Sequence, residues 1–431
     1  MGSHVDVRLR GGMALRKLML CGAVTGLLLA FMPATQAQVQ PALHDHAVNE
    51  LHQHAHKKPA ARSAAAVIDP RGQTGTMPQR TALLQRAEAE LLRGDAAAAI
   101  DSFDRAAMML HAPETEMGLV RAYLQAGEYR RALAFCAHTA GAHREAAAPA
   151  ALYAWLLQAG GQNAQAHRTL SEALGRHPTD AVLLQTQAAL AMPQPVTNVN
   201  LLDVPHRLAP QPVMQAGLPA PTDASRVVAS GVLLPTITGA PQLALVPLHA
   251  VHDGAMLWLR NGLGHTTQAV VAQRFEDHGV ALLRLLADLP VGGADAALMA
   301  APQDPFAGSP GYVVTYSASA SGDAAWPWLH AGFHGAAVRS GDRPLGIDVP
   351  ALSSGGLVLD SAGRLAGIAL QDAQNKGVLL PMSRLRAALP STRFSAHASP
   401  SAAGATATRI SADKAYEHAL RWSLQVIAQQ P

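Results

Sequence analysis

Cysteine is nearly absent from this sequence, and its scarcity excludes a scaffold held together by disulfide bonds. The 431 residues contain only Cys21 and Cys136. Removal of an amino-terminal leader would leave Cys136 alone, so no intrachain disulfide could form even in an oxidising compartment. Stability must therefore come from packed apolar cores, and a chain of this length has room for two or three of them.

A strong net charge is also lacking. Lys and Arg together number 33 against 30 Asp and Glu, which gives a formal net charge of +3, and aromatic residues make up only 4% of the chain. Nucleic-acid-binding domains usually carry a clustered basic patch, and none interleaved with aromatic residues occurs here. The sequence therefore predicts no nucleic-acid partner and favours a protein or peptide partner.

The apolar run near the amino terminus is too short to cross a membrane comfortably. It covers residues 18–32, with four basic side chains before it and small residues after it. This order is typical of a secretory signal peptide. We predict that residues 1–37 are such a peptide, cut after Ala37, and that the protein is periplasmic or secreted with no stable membrane span after cleavage. Translation could begin at Met1 or Met13.

Residues 38–80 form a polar segment rich in histidine. Its imidazoles are those of His44, His46, His52, His54 and His56. Neutral imidazole is a good ligand for transition metals, but no cysteine lies nearby and the acidic residues do not complete a ligand set at metal-site spacing. We predict a disordered segment and linker. Metal handling by these histidines is a weaker alternative, and no cofactor is predicted for the chain.

Residues 81–192 repeat a helical pattern three times. The turn glycines Gly94, Gly127 and Gly161 are 33 and 34 residues apart, and five residues after each stands Ala99, Ala132 or Ala166. This period, with small residues where paired helices touch, resembles the tetratricopeptide repeat (TPR) and implies an α-solenoid. The resemblance leaves two roles open, a groove that binds a peptide and a spacer that positions its neighbour. Cys136 is predicted to be a packing residue.

The pattern changes at a proline-rich connector, residues 193–225. From there to residue 390 the chain consists of short apolar runs broken by Gly, Pro and Asp. Many short strands with frequent turn signals predict an all-β barrel or sandwich.

One loop in this β region has the sequence Ser353-Ser354-Gly355-Gly356 and leads into an apolar strand. It resembles the nucleophile loop of trypsin-like serine proteases, most closely the bacterial HtrA/Deg branch. The resemblance spans about residues 226–390 and implies a chymotrypsin-like double β-barrel. By this resemblance Ser354 is the nucleophile and Gly355 and Gly356 let the chain pass close to a bound substrate.

The same resemblance assigns the remaining catalytic positions. The segment that ends in His249 is similar to the one that carries the general base, which would accept the Ser354 proton. The family's acid position falls on Gly279, and Asp277 is the possible substitute. The backbone N–H groups of Leu352 and Ser354 would form the oxyanion hole, although the family has glycine where this chain has Leu352.

The carboxyl-terminal part is predicted to comprise a Ser/Ala-rich linker, 391–411, and a helix, 412–431. Apolar and small residues recur at helical spacing in the second segment, namely Tyr416, Leu420, Ser423, Leu424 and Ile427. Such a stripe either packs on its own domain or is offered to a partner, and the sequence does not choose between them.

Taken together, these patterns predict a multidomain α + β protein: a TPR solenoid, a degenerate protease-like barrel and a carboxyl-terminal helix. The favoured function is an exported TPR-pseudoprotease adaptor for envelope assembly or quality control. It would hold a peptide or exported protein through the TPR groove, the barrel cleft or the terminal helix. The alternative is an active HtrA-like serine endopeptidase that uses Ser354 and His249 with a non-standard or missing acid.

Overall fold

A computed structural model of the chain describes residues 76–192, 210–235, 239–291, 297–336, 343–350, 354–389 and 408–429. A helical region comes first and a β-barrel region follows it, as expected from the sequence. The predicted signal peptide, nearly all of the His-rich segment and most of the Ser/Ala-rich linker lie outside the described residues. Among the described helices, none combines the length and the hydropathy that a membrane span requires.

Seven helices make up the first region. They are α1 (Met77–Leu92), α2 (Ala96–Met109), α3 (Pro113–Gln125), α4 (Tyr129–Ala142), α5 (Ala147–Ala159), α6 (Asn163–Arg176) and α7 (Ala181–Leu190). The first six form three hairpins, each closed by a turn glycine with φ between +76° and +77°. Side-chain caps begin three helices: Thr76 at α1, Asp95 at α2 and Asp180 at α7.

Small side chains let the paired helices approach each other. Ala99, Ala132 and Ala166 are fully buried, one in the second helix of each hairpin. Cys136 is buried in the same core, and burial raises the pKa of its thiol. A buried, protonated thiol is a packing group rather than a nucleophile.

The β region contains twelve strands among the described residues. They are β1 (Val213–Met214), β2 (Ser225–Leu233), β3 (Leu243–Pro247), β4 (Met256–Asn261), β5 (His265–Phe275), β6 (Val280–Leu285), β7 (Pro310–Thr315), β8 (Trp328–Phe333), β9 (Gly356–Asp360), β10 (Leu365–Gln371), β11 (Gly377–Pro381) and β12 (Ser423–Gln429). Two short helices complete the region, α8 (Met382–Ala388) and α9 (Ala412–Trp422).

Six of these strands close into a barrel. Their order is β5-β4-β12-β2-β3-β6, and pairing between β5 and β6 completes the ring. Closure leaves no unpaired edge among the six strands. The two-residue strand β1 pairs with β5 outside the ring.

The predicted carboxyl-terminal helix is wrong beyond Trp422. The chain leaves α9 at that residue and continues as strand β12, which pairs antiparallel with β2 on one side and β4 on the other. Most of β12 is buried. Its position between two partners satisfies the backbone of both neighbours, and this tertiary pairing overrides the helical spacing of its side chains.

The second sheet has five strands in the order β11-β10-β9-β7-β8. Within the described residues it does not close on itself, so the second barrel of the predicted double barrel stays a prediction. Strand β9 carries the Ser-Gly-Gly loop at its beginning and lies near β2 of the closed barrel.

The hairpin turns of the helical region pack against the β region. The Gln125 amide donates to the carbonyl of Leu263, and Arg421 on α9 donates to the Gly127 carbonyl at 3.2 Å. The rings of Tyr129 and Tyr416 meet edge to face with centroids 4.5 Å apart. These contacts are buried or partly buried and join elements distant in sequence, and buried apolar residues of both regions form one continuous core.

Candidate functional site

Ser354 lies at the junction of the closed barrel and the second sheet. It begins the turn that leads into β9, and only 5% of its surface is exposed. Its carbonyl accepts a hydrogen bond from the backbone N–H of Ser230 on β2 at 2.8 Å. The loop is therefore fixed by main-chain bonding to the barrel.

Gly355 can be replaced by no other residue without moving its neighbours. Its φ is +91°, and a Cβ atom there would lie 2.0 Å from the carbonyl oxygen of Ser230 and 2.6 Å from the ring of Pro247. Its N–H donates to the carbonyl of Ala369 on β10 at 2.7 Å. The glycine thus lets the serine loop pack against two barrel strands at van der Waals distance.

Gly356 continues this close packing into the second sheet. A Cβ atom at this position would lie 2.6 Å from Cγ2 of Thr315 on the adjacent strand β7. The two glycines predicted to shape the substrate side of the loop thus have a packing role within the fold.

His249 lies in the short 3-10 helix Leu248–Ala250, which directly follows strand β3. The residue is exposed. Partial desolvation of its ring, and then the neighbouring imidazole of His252, lower the pKa of His249 from its ordinary value. A carboxylate held against the ring would shift this pKa in the opposite direction.

Gly279 is held next to the histidine turn by the backbone. Its carbonyl accepts a hydrogen bond from the N–H of Leu248 at 2.9 Å, and Pro247 pairs with Val280 across strands β3 and β6. The position that the family resemblance assigns to the acid is therefore adjacent to the residue that precedes His249. It carries no side chain.

Asp277 is the nearest acidic residue in the sequence to that position. It lies in the 3-10 helix Glu276–His278 and is exposed. Within the described parts of the chain, no carboxylate makes a hydrogen bond or ion pair with the His249 ring. Among the described residues, Asp277 makes no hydrogen bond through which it could orient this imidazole.

The hydroxyl and the imidazole are not coupled in the described residues, where no hydrogen bond joins Ser354 to His249. Leu352, the predicted second oxyanion donor, lies outside the described residues. A serine hydroxyl is a weak nucleophile without an adjacent base. Among the described residues, the backbone of Ser354 is therefore fixed by a hydrogen bond to the barrel, but its hydroxyl is not hydrogen-bonded to the His249 imidazole.

Sequence reasoning missed the part that Ser230 plays. Its N–H donates to Ser354, and its Oγ accepts from the N–H of Tyr316 at 2.8 Å. A single buried serine thereby links β2, the serine loop and the segment after β7. The only sequence signal was a small polar residue inside an otherwise apolar strand, which is too common to be diagnostic.

A cleft of about 370 Å³ lies between the third hairpin, helix α7 and the edge strand β8. Its lining includes Gln158, Leu190, Met192, Trp328 and His330. The Trp328 ring meets Trp155 edge to face with centroids 5.7 Å apart, which packs this side of the cleft against helix α5. The lining is divided about evenly between apolar side chains and polar groups, and Asn163 and Asp348 are among the latter.

Neither a family model nor a curated protein matches this sequence. Two similar solved structures are the serine endoprotease from Yersinia pestis and the apo MamO protease domain from Magnetospirillum magneticum. The first is 15% identical with a TM-score of 0.28, covering 41% of this chain and 68% of its own. The second is 16% identical with a TM-score of 0.26, covering 38% of this chain and 97% of its own. Neither likeness is close enough to bear on the activity of this chain.

Proposed function

We propose that this protein is an exported adaptor in which a degenerate, trypsin-like domain of the HtrA type and a TPR-like helical module hold a peptide segment without cleaving it. The proposal rests on one observation, which is that the residue held beside the His249 turn is a glycine and offers no carboxylate. Gly279 bonds to the turn that holds His249, and the imidazole has no carboxylate partner among the described residues.

The energetic consequence of the missing acid is large. In the system where it was measured, replacing the acid of a Ser-His-Asp triad lowers turnover by about 10⁴-fold because the imidazole loses its tautomer control. The lowered pKa of His249 adds to this effect, since a less basic ring accepts the serine proton less readily.

Binding does not depend on that acid. A protease-like cleft can hold an extended peptide through main-chain hydrogen bonds and side-chain pockets whether or not the peptide is cut. The cleft beside the edge strand β8 is not lined by Ser354 or His249, and it has walls from both the helical region and the β region. We propose that it takes an extended segment of an exported protein, with Trp328 and Met192 as its apolar contacts.

The first experiment tests for cleavage. The full-length protein and Ser354→Ala are incubated with casein and with a fluorophosphonate probe. We expect no difference between the two in labelling or in casein fragments. Labelling and cleavage that disappear in Ser354→Ala would instead establish the endopeptidase and refute the adaptor.

A restoration experiment tests the reason for inactivity. Gly279→Asp combined with Leu352→Gly restores the residue types that the family has at both positions. We expect Ser354-dependent probe labelling in this double variant only. If neither the double variant nor the parent is labelled by the probe, these two positions are not the cause of the inactivity.

Peptide binding is measured separately, by the fluorescence anisotropy of labelled unfolded casein. Met192→Arg puts a charge at the rim of the cleft and should weaken binding by about tenfold or more, the effect of losing one good apolar contact. Met77→Arg is the matched control, because Met77 and Met192 are 59% and 58% exposed and only Met192 lines the cleft. Equal affinity for both variants would remove this cleft from the proposal.

A further inference from the structure

A buried carboxylate faces two imidazoles in the helical region, far in sequence from the protease-like site. Glu116 lies in the first turn of α3, His111 in the loop before it and His143 at the end of α4. Their ligating atoms all lie within 4.8 Å of one another. Glu116 is 2% exposed and His143 is 8% exposed.

The atoms that face each other are not otherwise occupied. His111 Nε2 lies 2.5 Å from one oxygen of Glu116, and His143 Nε2 lies 3.6 Å from the other. That second oxygen and His143 Nε2 are both buried without a hydrogen-bond partner. Buried polar atoms usually find partners, and a buried carboxylate is normally paired or coordinated to a metal.

The opposite nitrogen of His143 has a carboxylate within hydrogen-bonding distance. Its Nδ1 lies 3.4 Å from a carboxylate oxygen of Glu145. Histidines that ligate metals commonly donate their other ring N–H to a carboxylate, which fixes the tautomer and turns the free nitrogen toward the ion. Here the nitrogen so freed is the buried, unpartnered Nε2 that faces Glu116.

One of the two separations already fits a small divalent ion, and the other requires a shift of the exposed His111 side chain. Zinc binds imidazole nitrogen and carboxylate oxygen at about 2.0–2.2 Å, so two ligands of one tetrahedral ion are about 3.4 Å apart. The 3.6 Å separation is close to this value, whereas the 2.5 Å separation is that of a direct contact and must widen by about 1 Å for both atoms to bind one ion. Two imidazoles and one carboxylate form a ligand set that suits zinc and the other late first-row metals.

We propose that His111, Glu116 and His143 bind a divalent transition metal, with zinc as the reference ion, and that Glu145 positions His143. Three protein ligands leave a fourth position open. The His111 side chain is 56% exposed and gives the ion a path from solvent. The ion would join the first hairpin to the second at the ends of the helices remote from the turns that pack on the β region.

The experiment must exclude zinc capture by the amino-terminal histidines. The parent is therefore the full-length chain with His44, His46, His52, His54 and His56 changed to Asn. Zinc is titrated against a chromophoric chelator, and cobalt is added separately to record its visible absorption. We expect one equivalent of zinc per chain and intense cobalt bands typical of low coordination number.

Single substitutions in this parent assign the ligands. Glu116→Gln keeps the shape of the side chain and removes its charge. His111→Ala truncates an exposed side chain, so this variant should fold even if the buried substitution does not. Each should weaken zinc binding by more than about 100-fold, because loss of an outer partner alone costs about 10- to 100-fold. Glu145→Gln should fall within that smaller range.

The matched control is His167→Ala, which removes an exposed imidazole from α6 of the same helical region. It should leave zinc affinity and the cobalt spectrum unchanged. Absence of stoichiometric zinc binding in the parent would overturn the proposal. So would equal affinity in the parent, Glu116→Gln and His111→Ala, with circular dichroism confirming that the variants are folded.

Discussion

Gly279 occupies the position that the sequence resemblance assigns to the acid of a serine protease, and it has no side chain. It has a φ of +64° and ends the 3-10 helix Glu276–His278. A Cβ atom there would meet nothing closer than Cδ1 of Leu370, at 3.9 Å. The space for a side chain exists, and Asp and Asn tolerate this backbone region better than other residues do.

We predict that Gly279→Asp raises the pKa of His249 above its value in the unaltered protein. An adjacent negative charge stabilises the imidazolium, whereas partial desolvation and His252 now disfavour it. The measurement is an NMR pH titration of the ring signal, assigned with His249→Asn. Gly279→Asn is the control of equal size without charge, and equal pKa values in the Asp and Asn variants would contradict the prediction.

His330 should make the fold sensitive to acid. Burial lowers its pKa from 6.5 to about 4, and the Thr315 hydroxyl lies 3.2 Å from its Nε2. In the unfolded chain His330 therefore takes up a proton near pH 6.5, whereas in the folded protein it does so only near pH 4. Stability is unaffected above this window and falls as the pH drops through it.

We predict that His330→Gln reduces the loss of unfolding free energy between pH 7 and pH 4.5 by about 2 kcal/mol. Glutamine retains a group that can accept from Thr315 but cannot take up the proton. Chemical denaturation at several pH values measures the difference, and the comparison at pH 8 gives the cost of the substitution that is unrelated to charge. Parallel stability curves for the two proteins across this range would show that His330 is not responsible.

Among the elements, the helical hairpins were predictable and strand β12 was not. The spacing of Gly94, Gly127 and Gly161 identified the three turns, because a left-handed residue is a local requirement of the helix end. Strand β12 is buried on both faces between two other strands, so it lacks the alternation that marks a half-exposed strand.

The residue types at the candidate site could be predicted for the same reason. That position 279 holds glycine is read from the sequence without coordinates, while its assignment as the acid position stays a prediction. The bond from Ser230 to Ser354 and the fit of Gly355 against Pro247 could not be predicted, because they depend on how two sheets pack. Residue types and local turn requirements can be read from a sequence, whereas contacts between distant segments cannot.

Two glycines of the second hairpin should respond in opposite directions to the same substitution. Gly127 has a φ of +76° and its Cβ would lie 2.7 Å from Nη2 of Arg421, so Gly127→Ala should lower the unfolding free energy by about 1–2 kcal/mol. Gly141 lies in helix α4 with no atom within 4 Å of a Cβ, so Gly141→Ala should raise it by about 0.5–1 kcal/mol. Urea unfolding measures both, and changes of the same sign would contradict the assignment.

Across the whole molecule, the barrel depends on a strand from the far end of the sequence. Strand β12 separates β2 from β4, so its removal would leave both with unpaired backbone groups. Helix α9 before it carries Tyr416 and Arg421, which contact the second hairpin. One segment therefore completes the barrel and fastens it to the helices.

We predict that a chain ending at Leu389 lacks a folded barrel and that an added peptide of residues 408–431 restores it. Near-ultraviolet circular dichroism and the cooperativity of unfolding report the outcome. The same peptide with Val426→Asp is the control, because Val426 is buried between both partner strands and a charge there should prevent insertion. A truncated chain with the spectrum and transition of the full-length protein would refute the prediction.

The position of β12 late in the sequence also determines when the barrel can close during synthesis. The other five barrel strands end at Leu285, and roughly 140 residues must follow before Gln429 leaves the ribosome. At about 5–20 residues per second this is a delay of roughly 7 to 30 s. During it the helical hairpins can form while the nascent barrel stays open along one seam, a state that chaperones could recognise and that premature termination would make permanent.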